Sequence, residues 1–241
     1  MISIVVPVLD EARNLERLLP ALRDLAPDAE VVIVDGGSRD DTESVLARWP
    51  RARIISSPRG RAMQMNAGAA RSAGDVILFL HADTRLPAAF TDAIERALDD
   101  QRVVGGRFDV AFDNPAWPFR MIAAMMNLRS RLSGIFTGDQ AIFVRRAAFE
   151  ALGGYPEIPL MEDIALTRRL RRLGRVACLR RRVTTSARKW ERDGIARTVG
   201  LMWLLRFLYF CGVSPERLHR WYYPALAAPP EGSPADRSRG G

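Results

Sequence analysis

The stretch Gly74-Asp75-Val76-Ile77-Leu78-Phe79-Leu80-His81-Ala82-Asp83-Thr84 limits the possible folds most strongly. Residues 76–80 are uniformly apolar and too few for an ordinary helix. They predict a strand buried on both faces, the pattern of a parallel sheet. The run stops at His81, Ala82 and Asp83. Open α/β sheets bind ligands beyond the carboxyl ends of their strands. In extended chain, residues two apart point the same way, so His81 and Asp83 form a candidate imidazole–carboxylate pair at such an edge. An oxygen ligand like Asp83 suits Mg²⁺ or Mn²⁺, metals that clamp phosphates. The structural alternative is that Asp83 caps a helix after Pro87.

The segments around this strand repeat one pattern. Ser3-Ile4-Val5-Val6-Pro7-Val8 predicts a first strand, followed by Asp10, Glu11 and Asn14. Leu15, Leu18, Leu19, Leu22 and Leu25 then form one helical stripe, with Asp10 as its expected N-cap and Glu11 in its first turn. Glu30-Val31-Val32-Ile33-Val34-Asp35 predicts a second buried strand ending in a carboxylate. After the turn Gly36-Gly37-Ser38, Ser38 or Asp40 is expected to cap a helix carrying Val45, Leu46 and Trp49. Residues 53–56 predict a third strand, and residues 59–68 begin a third helix that ends near Gly74. Such βαβαβαβ spacing predicts an α/β fold with a mostly parallel, doubly wound central sheet flanked by helices.

Beyond Asp83 the expected order is a helix over 87–98, a strand over 103–112 and an amphipathic segment over 117–132. A strand over 141–144 follows, then a helix opened by Glu162-Asp163, a short strand over 175–179 and a long helix over 195–213. Arg206 interrupts that last helix, which is too short and too interrupted to read as a membrane span. Residues 229–241 are rich in Pro, Gly, Ser and Arg, a composition that predicts disorder. The expected organisation is a single domain over 1–226, with a nucleotide-binding half at 1–100, an acceptor half with C-terminal helices at 101–226, and a disordered tail at 227–241.

Apolar residues make up 48% of the 241, enough for one sizeable core. The two cysteines, Cys178 and Cys211, have no metal-type spacing and predict a reducing compartment without disulfides. Met1 leads straight into a strand-like run, so no secretory leader is expected. A cytoplasmic chain follows, either free or peripheral on the inner face of the cell membrane. Net charge is +8, yet Lys189 is the sole lysine. A GC-rich coding bias explains so much arginine better than nucleic-acid binding does. A basic surface still favours phosphate-bearing substrates or anionic headgroups.

Asp35 and Asp83 end strands, and Glu162-Asp163 opens a helix. A nucleotide-sugar site would use one acid for the nucleoside, a second for a divalent metal on the diphosphate, and a third to deprotonate an acceptor hydroxyl. Simple N-terminal helix acidity accounts for Glu162-Asp163 equally well, at a few tenths to about 1 kcal/mol. GxGxxG after the first strand, GxxxxGK[ST] and GxSxG are all missing, against dinucleotide, P-loop and serine-hydrolase chemistry. His81 and His219 are the only histidines, which excludes a zinc site built on several of them.

Ile4-Val5-Val6-Pro7-Val8-Leu9-Asp10-Glu11-Ala12-Arg13-Asn14-Leu15 resembles the opening of family 2 glycosyltransferases with the GT-A fold. Val34-Asp35-Gly36-Gly37-Ser38-Arg39-Asp40-Asp41-Thr42 and the strand leading to Ala82-Asp83, the position of the metal-binding DxD motif, resemble it too. Gly138-Asp139-Gln140 through Arg146, Gly153-Gly154-Tyr155, and Glu162-Asp163-Ile164-Ala165-Leu166 are similar to its acceptor half. Gly60-Arg61-Ala62-Met63-Gln64-Met65-Asn66 and Trp190-Glu191-Arg192 resemble the subgroup called radical-SAM/selenodomain-associated transferases. The resemblance runs over about residues 2–190.

By this resemblance, Pro7, Asp10 and Glu11 border the uracil and ribose, and Asp35 contacts the nucleoside. Arg61 and Asn66 lie near the nucleotide or diphosphate, beside Ala82. Asp83, with His81 as a second candidate ligand, binds Mn²⁺ or Mg²⁺. Asp163 is the base with Glu162 beside it, and Gly138, Asp139 and Gln140 lie on the acceptor side. Arg188 and Trp190 ride on a flexible loop over the diphosphate. Two positions depart from the family pattern. His81 replaces the first acid of DxD. Ser186 and Lys189 replace the Gln and Arg of the late QxxRW motif of processive synthases, which implies single-sugar transfer. The resemblance implies an inverting transferase using a nucleotide sugar, UDP-linked, and a small-molecule or lipid-linked acceptor, with no nucleic-acid partner. The alternatives are a GT-A-like nucleotidyltransferase, which would need a Gly-rich first turn, and a basic membrane-surface binding protein. For the latter, the segments 117–131 and 203–210 would lie on a bilayer, unless both are core helices with snorkelling arginines.

Overall fold

The computed structural model describes residues 1–222, so the expected tail at 227–241 lies outside the described residues. Among them, seven strands form one sheet in the order β3-β2-β1-β4-β6-β5-β7. These are β1 (Ile2–Val8), β2 (Glu30–Asp35), β3 (Arg53–Ser56), β4 (Val76–Phe79), β5 (Val103–Phe112), β6 (Ile142–Arg145) and β7 (Arg175–Thr185). β1 pairs in parallel with β2 and β4, and β2 with β3. β6 is the antiparallel exception, set between β4 and β5. The mostly parallel GT-A-like sheet expected from the sequence is therefore present.

Helices cover both faces. On one side α1 (Ala12–Leu25), α2 (Thr42–Ala47), α4 (Phe90–Leu98) and α5 (Trp117–Ser133) pack over Ile4, Val6 and Val8. On the other, α3 (Arg61–Arg71), α6 (Arg146–Ala151) and α7 (Glu162–Leu173) pack over Val5, Val34 and Phe79. β1 thus buries alternate residues in two cores, which is why Val and Ile fill five of its seven positions. α3 lies so close to the sheet that a Cβ at Gly68 would sit 2.3 Å from Val5 Cγ1 and 2.8 Å from Val34 Cγ2. α8 (Arg188–Asp193), α9 (Ile195–Phe210) and α10 (Pro215–Tyr222) follow the sheet. A small third core of Met161, Ile164, Leu205 and Leu218 docks α9 and α10 against the start of α7.

The crossovers fix the site. β1 leads outward to β2 and β3, and the chain then returns to add β4 on the other side of β1. This reversal opens a crevice at the carboxyl ends of β1 and β4, the usual ligand position in such sheets.

Several expectations need correction. Asp10 is not the cap of α1. It sits at φ 57°, and its carboxylate accepts from the backbone N–H of Arg39 (2.7 Å) and Asp40 (3.3 Å). Asp40 returns the bond, accepting from Ala12 N and from Thr42 N at the start of α2. The segments before α1 and α2 are stitched together: Asp10 reaches the N–H groups of Arg39 and Asp40, while Asp40 bridges the first N–H of both helices. Ser38 caps neither helix: its Oγ accepts from Asp10 N. Trp49 lies beyond the end of α2. α4 begins at Phe90 rather than at Pro87, with Ala89 at its N-cap, so Asp83 does not cap it. β7 runs to Thr185, because it is an edge strand whose exposed arginines at 180–182 broke the apolar pattern. α9 stops at Phe210.

Candidate active site

The parallel strands deliver carboxylates to one edge. Asp35, the last residue of β2, accepts from Ser38 Oγ (2.6 Å) and Ser38 N (3.1 Å), closing the turn after the strand. Pro7 and Val8 pair with Val34 and Asp35 in register. Gln64 of α3 donates to the carbonyls of both Val8 (2.8 Å) and Val34 (2.9 Å), clamping the ends of β1 and β2 together. Glu11, beyond β1, accepts from Asn14 Nδ2 (2.5 Å), and Asn14 accepts from Arg188 Nη2 (3.0 Å). Burial first, with the nearby charge of Asp83 adding to it, raises the Glu11 carboxyl against the pull of Asn14. Asp10, Glu11, Asp35 and Asp83 thus gather at the carboxyl ends of β1, β2 and β4, with Ala82 buried between His81 and Asp83.

A second cluster lies across the crevice around a cavity of about 150 Å³. Arg61, His81, Gly138, Asp139, Glu162, Asp163 and Trp190 line its polar side, while α5 and α9 supply Met125, Met126, Val199 and Trp203. Met161 takes φ 71°, turning the chain so that α7 starts with both acids buried at the cavity wall. Asp163 Oδ2 accepts from Gly138 N at 2.7 Å, while its Oδ1 is buried with no hydrogen-bond partner among the described residues. Arg61 Nη1 lies 4.0 Å from Glu162 Oε1. Burial, then the adjacent Asp163 charge, pushes the Glu162 carboxyl up to about 7 against Arg61. Burial also raises Asp163, against the pull of Arg61 and His81. Such a pair titrates as a unit. The neighbouring Tyr155 phenol is pushed well above its usual value, by burial and then by these two carboxylates.

Other expected residues have specific tasks. His81 turns toward the acceptor side: its Nδ1 is 3.4 Å from Asp139 Oδ1, and its Nε2 is buried against Gly138 with no hydrogen-bond partner among the described residues. Asn66 faces no open site. Its Nδ2 donates to Tyr155 O (2.9 Å) and its Oδ1 accepts from Tyr155 N (2.8 Å), tying α3 to the turn that precedes α7. Gln140 is fully buried and donates to Ser130 Oγ on α5 (3.0 Å), so it braces the cavity from behind. Arg188 and Trp190 stand on the short helix α8 rather than on a loop, and Trp190 packs edge-on against Phe112, centroids 5.6 Å apart.

No group of three or more His, Cys, Asp or Glu able to hold a metal occurs among the described residues. That donor set still fits Mg²⁺ or Mn²⁺, which commonly takes one or two protein carboxylates and completes its shell with substrate phosphates and water. Asp83 is the residue that would hold it. Arg129, Thr137 and Arg206 also line the cavity. Sequence reasoning missed them, because an arginine on a helix, like Arg129 or Arg206, and a threonine in a loop, like Thr137, look like solvated surface.

Known proteins resemble this chain in sequence and in fold. The chain is 30% identical over 169 residues to the undecaprenyl-phosphate 4-deoxy-4-formamido-L-arabinose transferase of Pseudomonas paraeruginosa, covering 63% of this chain and 49% of that protein. It is 31% identical over 163 residues to the protein of the same name from Pseudomonas savastanoi, covering 60% and 46%. It spans about half the length of these curated relatives. Among solved structures, the mannosyltransferase PcManGT of Pyrobaculum calidifontis, in complex with GDP-Man and Mn²⁺, superposes with a TM-score of 0.66 at 23% identity, over 94% of this chain and 70% of that one. S. aureus TarS with UDP gives 0.62 at 20% identity, over 77% and 60%. These likenesses establish a shared GT-A fold. A family profile matches residues 3–153, well over half of the chain, and the protein belongs to glycosyl transferase family 2.

Proposed function

We propose that this protein transfers one sugar from a nucleotide-diphosphate sugar, UDP-linked, to an acceptor hydroxyl, inverting the anomeric centre by direct displacement. The observation that carries this is Asp163: one carboxylate oxygen is fixed by the Gly138 N–H, and the other, at a cavity wall, has no geometrically formed hydrogen bond among the described residues, with the Tyr155 phenol as its neighbour. A general base needs that combination of fixed orientation and a free acceptor atom. Glu162 beside it, raised to about 7, keeps the pair close to neutral-pH proton exchange. Pro7, Asp10, Glu11 and Asp35 would seat the nucleoside at the ends of β1 and β2. Asp83 would hold the divalent metal, which when bound supplies charge neutralisation to the departing diphosphate. Arg61, Arg188 and Trp190 flank the donor. Asn66 positions Tyr155, and Gly138 and Asp139 border the acceptor.

The acceptor is a small molecule or a lipid. Relatives named as undecaprenyl-phosphate transferases favour a lipid. So do the solvent-exposed Trp117, Leu128 and Leu132 on α5 and Trp203, Leu204 and Phe207 on α9, which suit peripheral contact with a cytoplasmic membrane face. No described helix is long and apolar enough to cross a membrane.

The test is calorimetric titration of UDP and of GDP, with and without Mn²⁺, into the wild type and Asp83→Ala. Metal-dependent UDP binding that disappears in the variant is expected. Absence of nucleotide binding under every metal condition would overturn the proposal.

A further inference from the structure

Two arginines in the cavity have no counterion among the described residues. Arg129 projects from α5 and Arg206 from α9, on either side of the apolar wall. Arg129 Nε and Nη2 and Arg206 Nε are buried with no hydrogen-bond partner among the described residues, and neither guanidinium has a carboxylate oxygen within 4.0 Å. Burial lowers the Arg129 guanidinium to about 10, with the charge of Arg107 also opposing it and only Asp139 acting in its favour. A buried cation left this way is costly unless something pairs with it.

The surrounding arginines show what satisfied ones look like here. Arg107 on β5 bonds Asp109 and Asn127 O (3.0 Å), and Arg131, two residues along α5, bonds both oxygens of Asp109 at 2.7 and 2.8 Å. Asn127 pairs with the backbone of Val110 at 2.8 and 3.0 Å. This network locks α5 onto the sheet and uses up the local acid, so Arg129 is held at the cavity wall with nothing to bind.

We infer that Arg129 and Arg206 form a subsite for a phosphate-class dianion carried by the acceptor. This rests on the transferase reading above and adds the acceptor's chemistry. Two unmatched guanidinium groups balance a phosphate monoester better than a single carboxylate, and guanidinium forks fit its oxygens. The subsite is assigned to the acceptor because Gly138, Asp139 and Asp163 line the same cavity, whereas the donor-side acids Asp10, Glu11, Asp35 and Asp83 do not; Arg61 and Trp190, which also line it, stand where donor and acceptor meet. Met125, Met126 and Trp203 around the guanidinium groups would contact an apolar portion of the same molecule.

The test titrates inorganic phosphate, decyl phosphate and decanol into the full chain as wild type, Arg129→Met and Arg206→Met. Methionine keeps the apolar volume, and UDP binding with Mn²⁺ is followed in parallel. Phosphate-bearing probes should bind the wild type and weaken by about tenfold or more in each variant, the loss expected for a charge-assisted hydrogen bond. UDP affinity should stay unchanged. Decyl phosphate binding far tighter than inorganic phosphate would identify a lipid phosphate; equal affinity would identify a small soluble phosphate; either result supports the subsite. Phosphate probes that fail to bind a wild type still competent for UDP, or that bind the variants equally well, would overturn it. Loss of UDP binding together with phosphate would also overturn it, by moving the arginines to the donor. A wild type that binds neither would instead strike at the transferase reading itself.

Discussion

Replacing Glu162 by Gln should stabilise the protein in a pH-dependent way. The side chain is 8% exposed, so solvent does little to screen its charge. Its carboxyl rises from 4.5 to about 7 on folding, by burial and then by repulsion from Asp163. A raised acid favours the protonated form in the folded state. Its contribution is therefore intact below pH 4.5 and is lost as pH climbs through about 7. At about 1.36 kcal/mol per pH unit, the charged carboxylate costs roughly 2 kcal/mol at pH 6 and about 3 kcal/mol at pH 8 relative to a permanently neutral side chain. Glutamine is nearly isosteric and removes that cost. The partner left behind, Arg61, is 52% exposed and keeps its hydration. For a chain of this size, about 3 kcal/mol corresponds to a gain of roughly 6–12 °C in Tm at pH 8. The assay is thermal unfolding of wild type and Glu162→Gln from pH 4.5 to 9, followed by circular dichroism. The two curves should converge near pH 4.5, separate between there and about pH 7, and run parallel above it. A Tm difference that does not vary with pH, or a wild type that gains on the variant as pH rises, would refute burial of an uncompensated acid pair at the start of α7.

The remaining predictions concern geometry and surface. In Gly138→Ala, the new Cβ would lie 2.3 Å from His81 Nε2, 2.5 Å from its Cε1 and 3.0 Å from Asp163 Oδ2. Urea denaturation should show a loss of about 1–3 kcal/mol from overpacking, with transfer activity falling further because the Asp163 carboxylate loses its fixed orientation. Full activity would mean that this turn moves freely. In vesicle flotation, the wild type should float with anionic liposomes and release them at high salt, and Leu128→Asp combined with Phe207→Glu should remain at the bottom. Flotation of the variant equal to wild type would remove α5 and α9 from any bilayer contact.

The strand-end carboxylates could be read from the sequence because each depends only on local order: a buried apolar run, then an acid, then a helix. The same holds for Glu162-Asp163, where the acids and the amphipathic helix behind them are contiguous. Long-range pairings carried no such signal. Asn66 lies 89 residues from the Tyr155 backbone it clamps, and nothing near it distinguishes an amide that grips a turn from one that grips a ligand. Asp10 left α1 for the backbone of Arg39 and Asp40 because two turns 30 residues apart share an edge only after β1 and β2 pair. The arginines of β7 hid an eleven-residue strand, since an edge strand need not be apolar.

Arg129 and Arg206 posed the harder problem, because an arginine among apolar residues of a helix predicts a snorkelling side chain. Whether it reaches water depends on what packs opposite. Leu205 and Leu218 dock α9 against Met161 and Ile164, and α9 sets the half-buried Arg206 on the cavity wall with its Nε out of reach of water. The small third core therefore does more than hold a C-terminal helix in place. It puts Arg206 on the wall of the same cavity that Arg129 and Asp163 line.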